Sequence, residues 1–376
     1  PPAPAPTTAV ETVPKPVEAK PAEIKPVEPA KTVEPPKTRE LRVAIFSGAY
    51  RKAQERAILK PFESKSGLPL VILSSEMPRE KLLEALKAEK PAWDVADVPL
   101  PIAEAACQKG LLVAIDPQKL AAASDGKSAK DDFIEGALTR CGVASVAWSS
   151  VVVFERPGAR KPEPKKLEDV FDVAKFPGNR ALPPGPHYVL EVALLADGVA
   201  PAEVYKQLGT EEGLARAFKK LDQIKDHIVW WDKQQGAFEL LRAKRATFAL
   251  AFNGRAFQES ALSPRTLGVI YDGQVLRLNA WVVPKASQRI KEAQELVAFA
   301  TEPARLAAQA SEFPYGPTRR SAISLVGLHP ALKTDMKPHL PTAPEYLAGA
   351  LRFDTEFWAA NEARLKERFL AWRSGG

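Results

Sequence analysis

Apolar residues in this chain gather into short runs separated by helix-period stretches, and this pattern starts abruptly near residue 41. Residues 41–46 (Leu-Arg-Val-Ala-Ile-Phe) and 70–73 read as buried strands. Between them, residues 51–65 carry the spacing of a helix that stops at Gly67. That is a β-α-β unit. A second follows, with a helix over 79–88, a strand over 93–96, a helix over 101–109 and a short apolar run over 111–115. Strands alternating with helices of about ten to fifteen residues predict an α/β protein with a mainly parallel sheet and helices on both faces.

Residues 142–154 form a β-prone run longer than an ordinary strand, and its polar break at Ser149-Ser150 marks a crossing from one lobe into another. A loop at Lys161-Pro162-Glu163-Pro164 leads to a short helix over 167–173 and a turn through Phe176-Pro177-Gly178-Asn179-Arg180 into a strand at Ala181-Leu182. Pro183-Pro184-Gly185-Pro186 then opens a helix over 188–196, whose free backbone N–H groups near Tyr188 are placed to receive an anion. Next come a strand at Ile228-Val229-Trp230, a turn through Trp231 and Asp232, a helix over 233–243 and a strand over 247–252. An Asn253-Gly254 turn, apolar runs over 267–271 and 275–278, and a strand over 279–284 complete this part. Helices over 288–300 and 303–310, a rigid loop over 313–318 and a C-terminal amphipathic helix within 340–372 end the chain. In that last segment Phe353, Phe357, Trp358, Leu365, Phe369 and Trp372 recur at near-helical spacing and are assigned to the core.

In open α/β sheets ligands sit in the crevice beyond the strand ends, and here those ends carry Ser47, Tyr50, Trp230, Trp231, Asp232, Phe252, Asn253 and Arg255. Aromatic surfaces with a few fixed polar groups describe a small-molecule cleft. Trp230 and Trp231 adjoin, so they face opposite ways, and Trp231 is assigned to the cleft because Asp232 follows it. Phe252 is assigned to core. Asn253 touches solute or caps a helix. Arg277 alternates with Leu276 and Leu278 and so has a defined face; Tyr315 lies at cleft or hinge. The four histidines, His187, His227, His329 and His339, lack metal-ligand spacing, so neither a metal nor a cofactor is expected.

A length of 376 residues with 45% hydrophobic content leads one to expect about two domains. The formal charge of +7 comes without blocks of Lys and Arg, which argues against a nucleic-acid partner. No run of about eighteen apolar residues is present, so no membrane-spanning segment is expected. Residues 1–36 alternate Pro with Val, Ala, Lys and Glu, which predicts a disordered, polyproline-like tether reaching on the order of 100 Å when extended. The chain begins without Met or a signal-like run, as a mature or trimmed chain would. The two cysteines, Cys107 and Cys141, make one possible pair: a disulfide of an oxidising compartment or, alternatively, a reactive thiol.

Seven phrases, in order, resemble family 1 extracellular solute-binding proteins of ABC importers, in the spermidine/putrescine-binding-like branch. They are Lys60-Pro61-Phe62-Glu63 with Gly67; Cys141-Gly142-Val143 running to Trp148-Ser149; Phe176-Pro177-Gly178; Val229-Trp230-Trp231; Ala251-Phe252-Asn253-Gly254-Arg255-Ala256; Trp281-Val282-Val283-Pro284-Lys285; and Tyr315-Gly316-Pro317-Thr318. The resemblance implies a type II periplasmic-binding-protein fold of two α/β lobes joined by crossover strands and preceded by the disordered Pro-rich leader. The lobes would be residues 41–148 with 279–325 and residues 149–278 with 326–376, after a tether over 1–40. It implies a monomeric, non-enzymatic receptor in the periplasm, free or tethered through its leader, that closes over a small solute and hands it to a membrane permease. It also implies a lobe-one disulfide between Cys107 and Cys141, and adds Trp148 to the ligand set.

The chain departs from that branch where a polyamine would need acids. The family's helix-opening acids fall near Gly185 and Tyr188, and the Trp-x-Asp of its return strand falls on Arg277-Leu278-Asn279. A buried Arg277 beside an ammonium ligand is repulsive by on the order of several kcal/mol. The expected solute is therefore anionic or zwitterionic, held by Arg277 or Arg255 with Asn279, Ser47 and the helix start at Tyr188. The alternatives are a polyamine binder, a Cys-dependent enzyme on the same fold, or a tethered structural or sensory protein.

Overall fold

The structure, a computed structural model, describes residues 40–157, 162–262 and 267–375. The predicted tether, apart from Glu40, lies outside the described residues, as does Lys161 of the predicted loop. Among the described residues nine strands appear: β1 Leu41–Ile45, β2 Leu70–Ser74, β3 Val95–Pro99, β4 Val143–Glu155, β5 Arg180–Leu182, β6 Ile228–Trp230, β7 Phe248–Phe252, β8 Leu267–Val282 and β9 Leu351–Arg352. They form one sheet in the order β2-β1-β3-β8-β4-β7-β5-β6, with β9 pairing β8.

The sheet is mixed rather than mainly parallel. β1 runs parallel to β2 and β3, β5 parallel to β6 and β7, and β9 parallel to β8, as β-α-β connections require. The middle differs, because β4 and β8 are long and antiparallel to each other, and β8 also runs antiparallel to β3 and β4 to β7. The apolar runs 267–271 and 275–278 and the strand at 279–284 are therefore a single strand of 16 residues. The apparent break at Asp272-Gly273 is a bulge: the register with β4 jumps from Ser150↔Val275 to Val152↔Ile270, and Gly273 takes φ 68°. The Ser149-Ser150 break lies beside the same bulge, within an unbroken β4 of 13 residues. The run 111–115 contributes only an isolated bridge between Leu112 and Pro284.

Arg39–Gly376 pack as one compact unit. Within it lie two large apolar cores. The first gathers β1, β3, the start of β4, the end of β8 and the helix Ile290–Ala300 around the fully buried Trp281. The second gathers the end of β4, β7, the helices Val189–Ala196 and Glu211–Asp222, and the C-terminal helix. Helices Val204–Leu208 and Glu211–Asp222 fall where the sequence pattern assigned no element. The C-terminal helix Thr355–Ser374 starts where Asp354 accepts the Phe357 N–H at 2.8 Å, and it buries Trp358, Leu365, Phe369 and Trp372 in the second core. Phe353 and Phe357 pack against that core only partly buried.

The first helix begins at Gly48 rather than residue 51, runs through Gly48–Gln54, a π-helical turn Glu55–Leu59 and Lys60–Ser66, and ends at Gly67 with φ 67°. Asn253-Gly254 is not a turn, because the helix Asn253–Leu262 starts directly from β7.

Candidate functional site

The site is built on the crossing of β4 and β8. Trp148 pairs with Arg277 in register, and Asn279, two residues on, presents its side chain to the same face. The Trp148 indole N–H donates to Asn279 Oδ1 at 3.2 Å. Arg277 is half-buried: its Cζ stands 4.4 Å from the Phe353 ring and 5.2 Å from the Trp148 ring, and its Nη1 donates to the Tyr188 phenol oxygen at 2.9 Å. Among the described residues no carboxylate lies within ion-pair distance of Arg277.

One wall comes from the first helix and the 313–315 loop. The Tyr50 ring packs 5.1 Å from Tyr315 and 6.5 Å from Phe313. Its hydroxyl is not free for solute, because it donates to Asp97 Oδ2 at 2.5 Å. Asp97, fully buried on β3, also receives Ser145 Oγ at 2.8 Å and Gln54 Nε2 at 2.9 Å. Burial pushes its carboxyl up to about 6, against the pull of those donors. Tyr315 rises to about 12, through burial and the nearby Asp97.

The other wall holds Tyr188, Phe252 and Trp231. Phe252 lies edge-on to Trp148 at 5.0 Å and to Tyr188 at 5.7 Å. It is therefore wall more than core. Trp231 lines a cavity of about 250 Å³ with Ser150, His187, Tyr188, Gln234 and Phe252. Trp230 turns the opposite way, against Phe369 at 5.8 Å and under Arg373 at 4.4 Å. A wider groove of about 960 Å³ opens beside Arg277 between Glu104, on the helix Leu100–Gln108, and Phe353.

Several expected ligand contacts are committed elsewhere. Asn253 is buried, its Oδ1 accepting from Ser149 N at 3.0 Å and its Nδ2 donating to the Pro314 carbonyl at 2.6 Å, so it ties β4 to the 313–315 loop. Arg255 sits one turn from Glu259, with Nε 3.7 Å from its carboxylate. Asp232 is exposed on the turn after β6, and Ser47 is exposed with its hydroxyl donating to Glu76. The helix Val189–Ala196, which starts after Tyr188, carries an acid of its own, Glu191, in its first turn. Glu191 is fully buried, takes the Trp358 indole N–H at 2.6 Å and the Tyr205 hydroxyl at 3.3 Å, and is pushed up to about 7 by burial. The structure thus brings together Tyr50, Trp148, Tyr188, Trp231, Arg277, Asn279 and Tyr315 around the strand crossing. Asp97, Glu191 and Phe353 were missed; an acid alone in the apolar run Val95-Ala96-Asp97-Val98 was the available signal.

Cys107 and Cys141 form a disulfide with Cα atoms 5.7 Å apart, tying the helix Leu100–Gln108 to the chain just before β4. With both sulfurs bonded, neither supplies the thiolate that a Cys-dependent enzyme needs. Among the described residues no cluster suited to a metal occurs, and no helix is long and apolar enough to cross a membrane.

Two α/β cores sharing crossed strands, with an aromatic cleft beside the crossing, define a solute receptor. The chain belongs to the bacterial extracellular solute-binding protein family, which it matches over residues 57–342. The gamma-aminobutyric acid-binding protein of Pseudomonas aeruginosa is 34% identical over 337 residues, which cover 89% of this chain and 91% of that protein. The solved structure of the Atu4243 GABA receptor is 27% identical with a TM-score of 0.69, covering 89% of this chain and 97% of its own. The spermidine/putrescine ABC transporter substrate-binding protein PotD of Streptococcus pneumoniae has a TM-score of 0.69 at 15% identity, covering 89% of this chain and 99% of its own, a likeness of fold alone. The chain is a solute-binding protein of the ABC-transporter type, whose members deliver small ligands to a permease.

Proposed function

We propose that this chain captures a small zwitterionic or anionic solute of the 4-aminobutyrate class, and that Arg277 takes its carboxylate. The observation that carries the reading is the half-buried guanidinium, whose phenol partner Tyr188 is a neutral oxygen. Arg277 donates to that oxygen and leaves the phenol its own proton, so a carboxylate can receive hydrogen bonds from both groups. The tyrosine and tryptophan rings then pack the methylene stem. Two relatives whose names give the same ligand class support the choice.

The two lobes are residues 41–148 with 279–325 and residues 149–278 with 326–376, and the solute bridges them. Tyr50 and Tyr315 belong to one, Tyr188 and Trp231 to the other, so a guest touching both stabilises the closed form, which the permease distinguishes from the open one. The receptor works as a monomer in the periplasm, tethered through residues 1–40. Calorimetric titration with 4-aminobutyrate, glutarate and putrescine tests the reading. Carboxylates are expected to bind and Arg277→Ala to abolish their binding; putrescine binding to the wild-type protein in their place would overturn it.

A further inference from the structure

We infer that Arg277 plugs an organic-cation cage built into the strand crossing, and that this plug is what turns the cleft away from cationic solutes. Two ring faces bound the guanidinium, Phe353 at 4.4 Å and Trp148 at 5.2 Å from Cζ, and the Tyr188 oxygen accepts from it at 2.9 Å. Aromatic faces within about 6 Å attract a cation through their quadrupoles, with Trp the strongest. Two π faces and a neutral acceptor oxygen are what a guanidinium or alkylammonium ion seeks.

The cage does not depend on its occupant for its shape. Phe252 braces Trp148 at 5.0 Å and Tyr188 at 5.7 Å. Phe353 stacks on Trp358 at 6.2 Å with the planes 7° apart, and Trp358 is held through its indole N–H by Glu191 at 2.6 Å. Arg277 reaches in from β8, whose neighbouring Leu276 and Leu278 are buried in the first core. Shortening the side chain therefore vacates the cage and leaves its walls supported. In the wild type the resident guanidinium occupies the volume and repels a second positive charge. The inference stands apart from the carboxylate reading, because the cage can take cations whatever the natural solute proves to be.

The test is titration calorimetry with ethylguanidinium and with putrescine on wild type, Arg277→Ala, and Arg277→Ala combined with Trp148→Leu, each shown folded by thermal melting. The single variant is expected to bind ethylguanidinium at least about tenfold more tightly than wild type, and Trp148→Leu to remove that gain. Should Arg277→Ala not fold, the shorter, neutral Arg277→Gln carries the same criterion. A folded variant that binds the cations no better than wild type, or a gain that survives loss of the Trp148 ring, overturns the inference. A parallel titration of wild type with 4-aminobutyrate reports separately on the carboxylate reading.

Discussion

The hydroxyl of Tyr50 donates to Asp97 Oδ2 over 2.5 Å, which fixes the wall of a cleft to a carboxylate with no solvent exposure. The same carboxylate holds Gln54 and Ser145, so one buried acid on β3 orients groups from the first helix and β4. Asp97→Ala leaves these donors unmatched and is expected to cost about 2–4 kcal/mol; Asp97→Asn, which keeps an acceptor, costs less. Urea unfolding measures both, and an unchanged midpoint for the alanine variant would show that the network is idle.

Stability is expected to rise as the pH falls from about 7 towards about 4.5. Glu191 has its carboxyl raised from 4.5 to about 7, so within that window the folded chain holds a proton that the unfolded chain has released. Its contribution is full below the unfolded value and is lost as the pH climbs through about 7, a swing on the order of 3 kcal/mol. Asp97 acts in the same direction between 3.8 and about 6. Thermal melts from pH 4.5 to 8 on wild type and Glu191→Gln check this; the variant should show a flatter profile, and an unaltered slope would count against it.

Tyr188→Phe keeps the ring against Phe252 and Phe353 but removes the oxygen that Arg277 contacts. Affinity for a carboxylate solute should fall about tenfold, the worth of one charge-assisted hydrogen bond. The melting temperature should stay within a few degrees, because the packing is retained. Calorimetry and thermal melting on the same sample separate the two effects.

Gly254 is required by close approach. A Cβ there would stand 2.6 Å from Tyr315 Cε1 and 2.9 Å from Phe313 Cε1. Gly254→Ala is expected to cost about 1–3 kcal/mol by overpacking and to displace the Tyr315 wall, weakening solute binding at the same time. Guanidinium unfolding and titration should both register the change; wild-type behaviour in both would mean that the rings yield freely.

The disulfide closes a sequence separation of 34 residues. Cys107→Ser with Cys141→Ser is expected to lower stability by about 3–4 kcal/mol on the chain-entropy account. Unreduced, unfolded protein should titrate no thiol, and reduced protein two. Thiols found before reduction would reopen the question of a reactive cysteine.

Much of the architecture was legible because local chemistry and tertiary role agree. Gly67 ends a helix in the left-handed conformation as its position predicted, and Ile228–Trp230 is a strand as read. The long middle strands were misread where tertiary pairing overrode local punctuation: Asp272-Gly273 looks like a turn, yet it is a bulge because β4 offers partners on both sides. Asn253-Gly254 likewise carries a turn signature, but the amide bridges two backbone groups and the glycine makes room for rings. Alternation gave the face of Arg277, since its neighbours are buried leucines. Nothing local could reveal that Asp97 gathers partners from residue 50 to residue 145, or that Glu191 is buried against Tyr205 and Trp358.

The crossed strands have a consequence for how the molecule is made. β3 finds its antiparallel neighbour only in residues 279–282, and the helix that covers the first core spans Ile290–Ala300. Growing from its amino end, the chain cannot complete its earliest hydrophobic cluster until about four fifths of it exists. Contacts that join positions so far apart along the chain predict slow folding for a protein of this size.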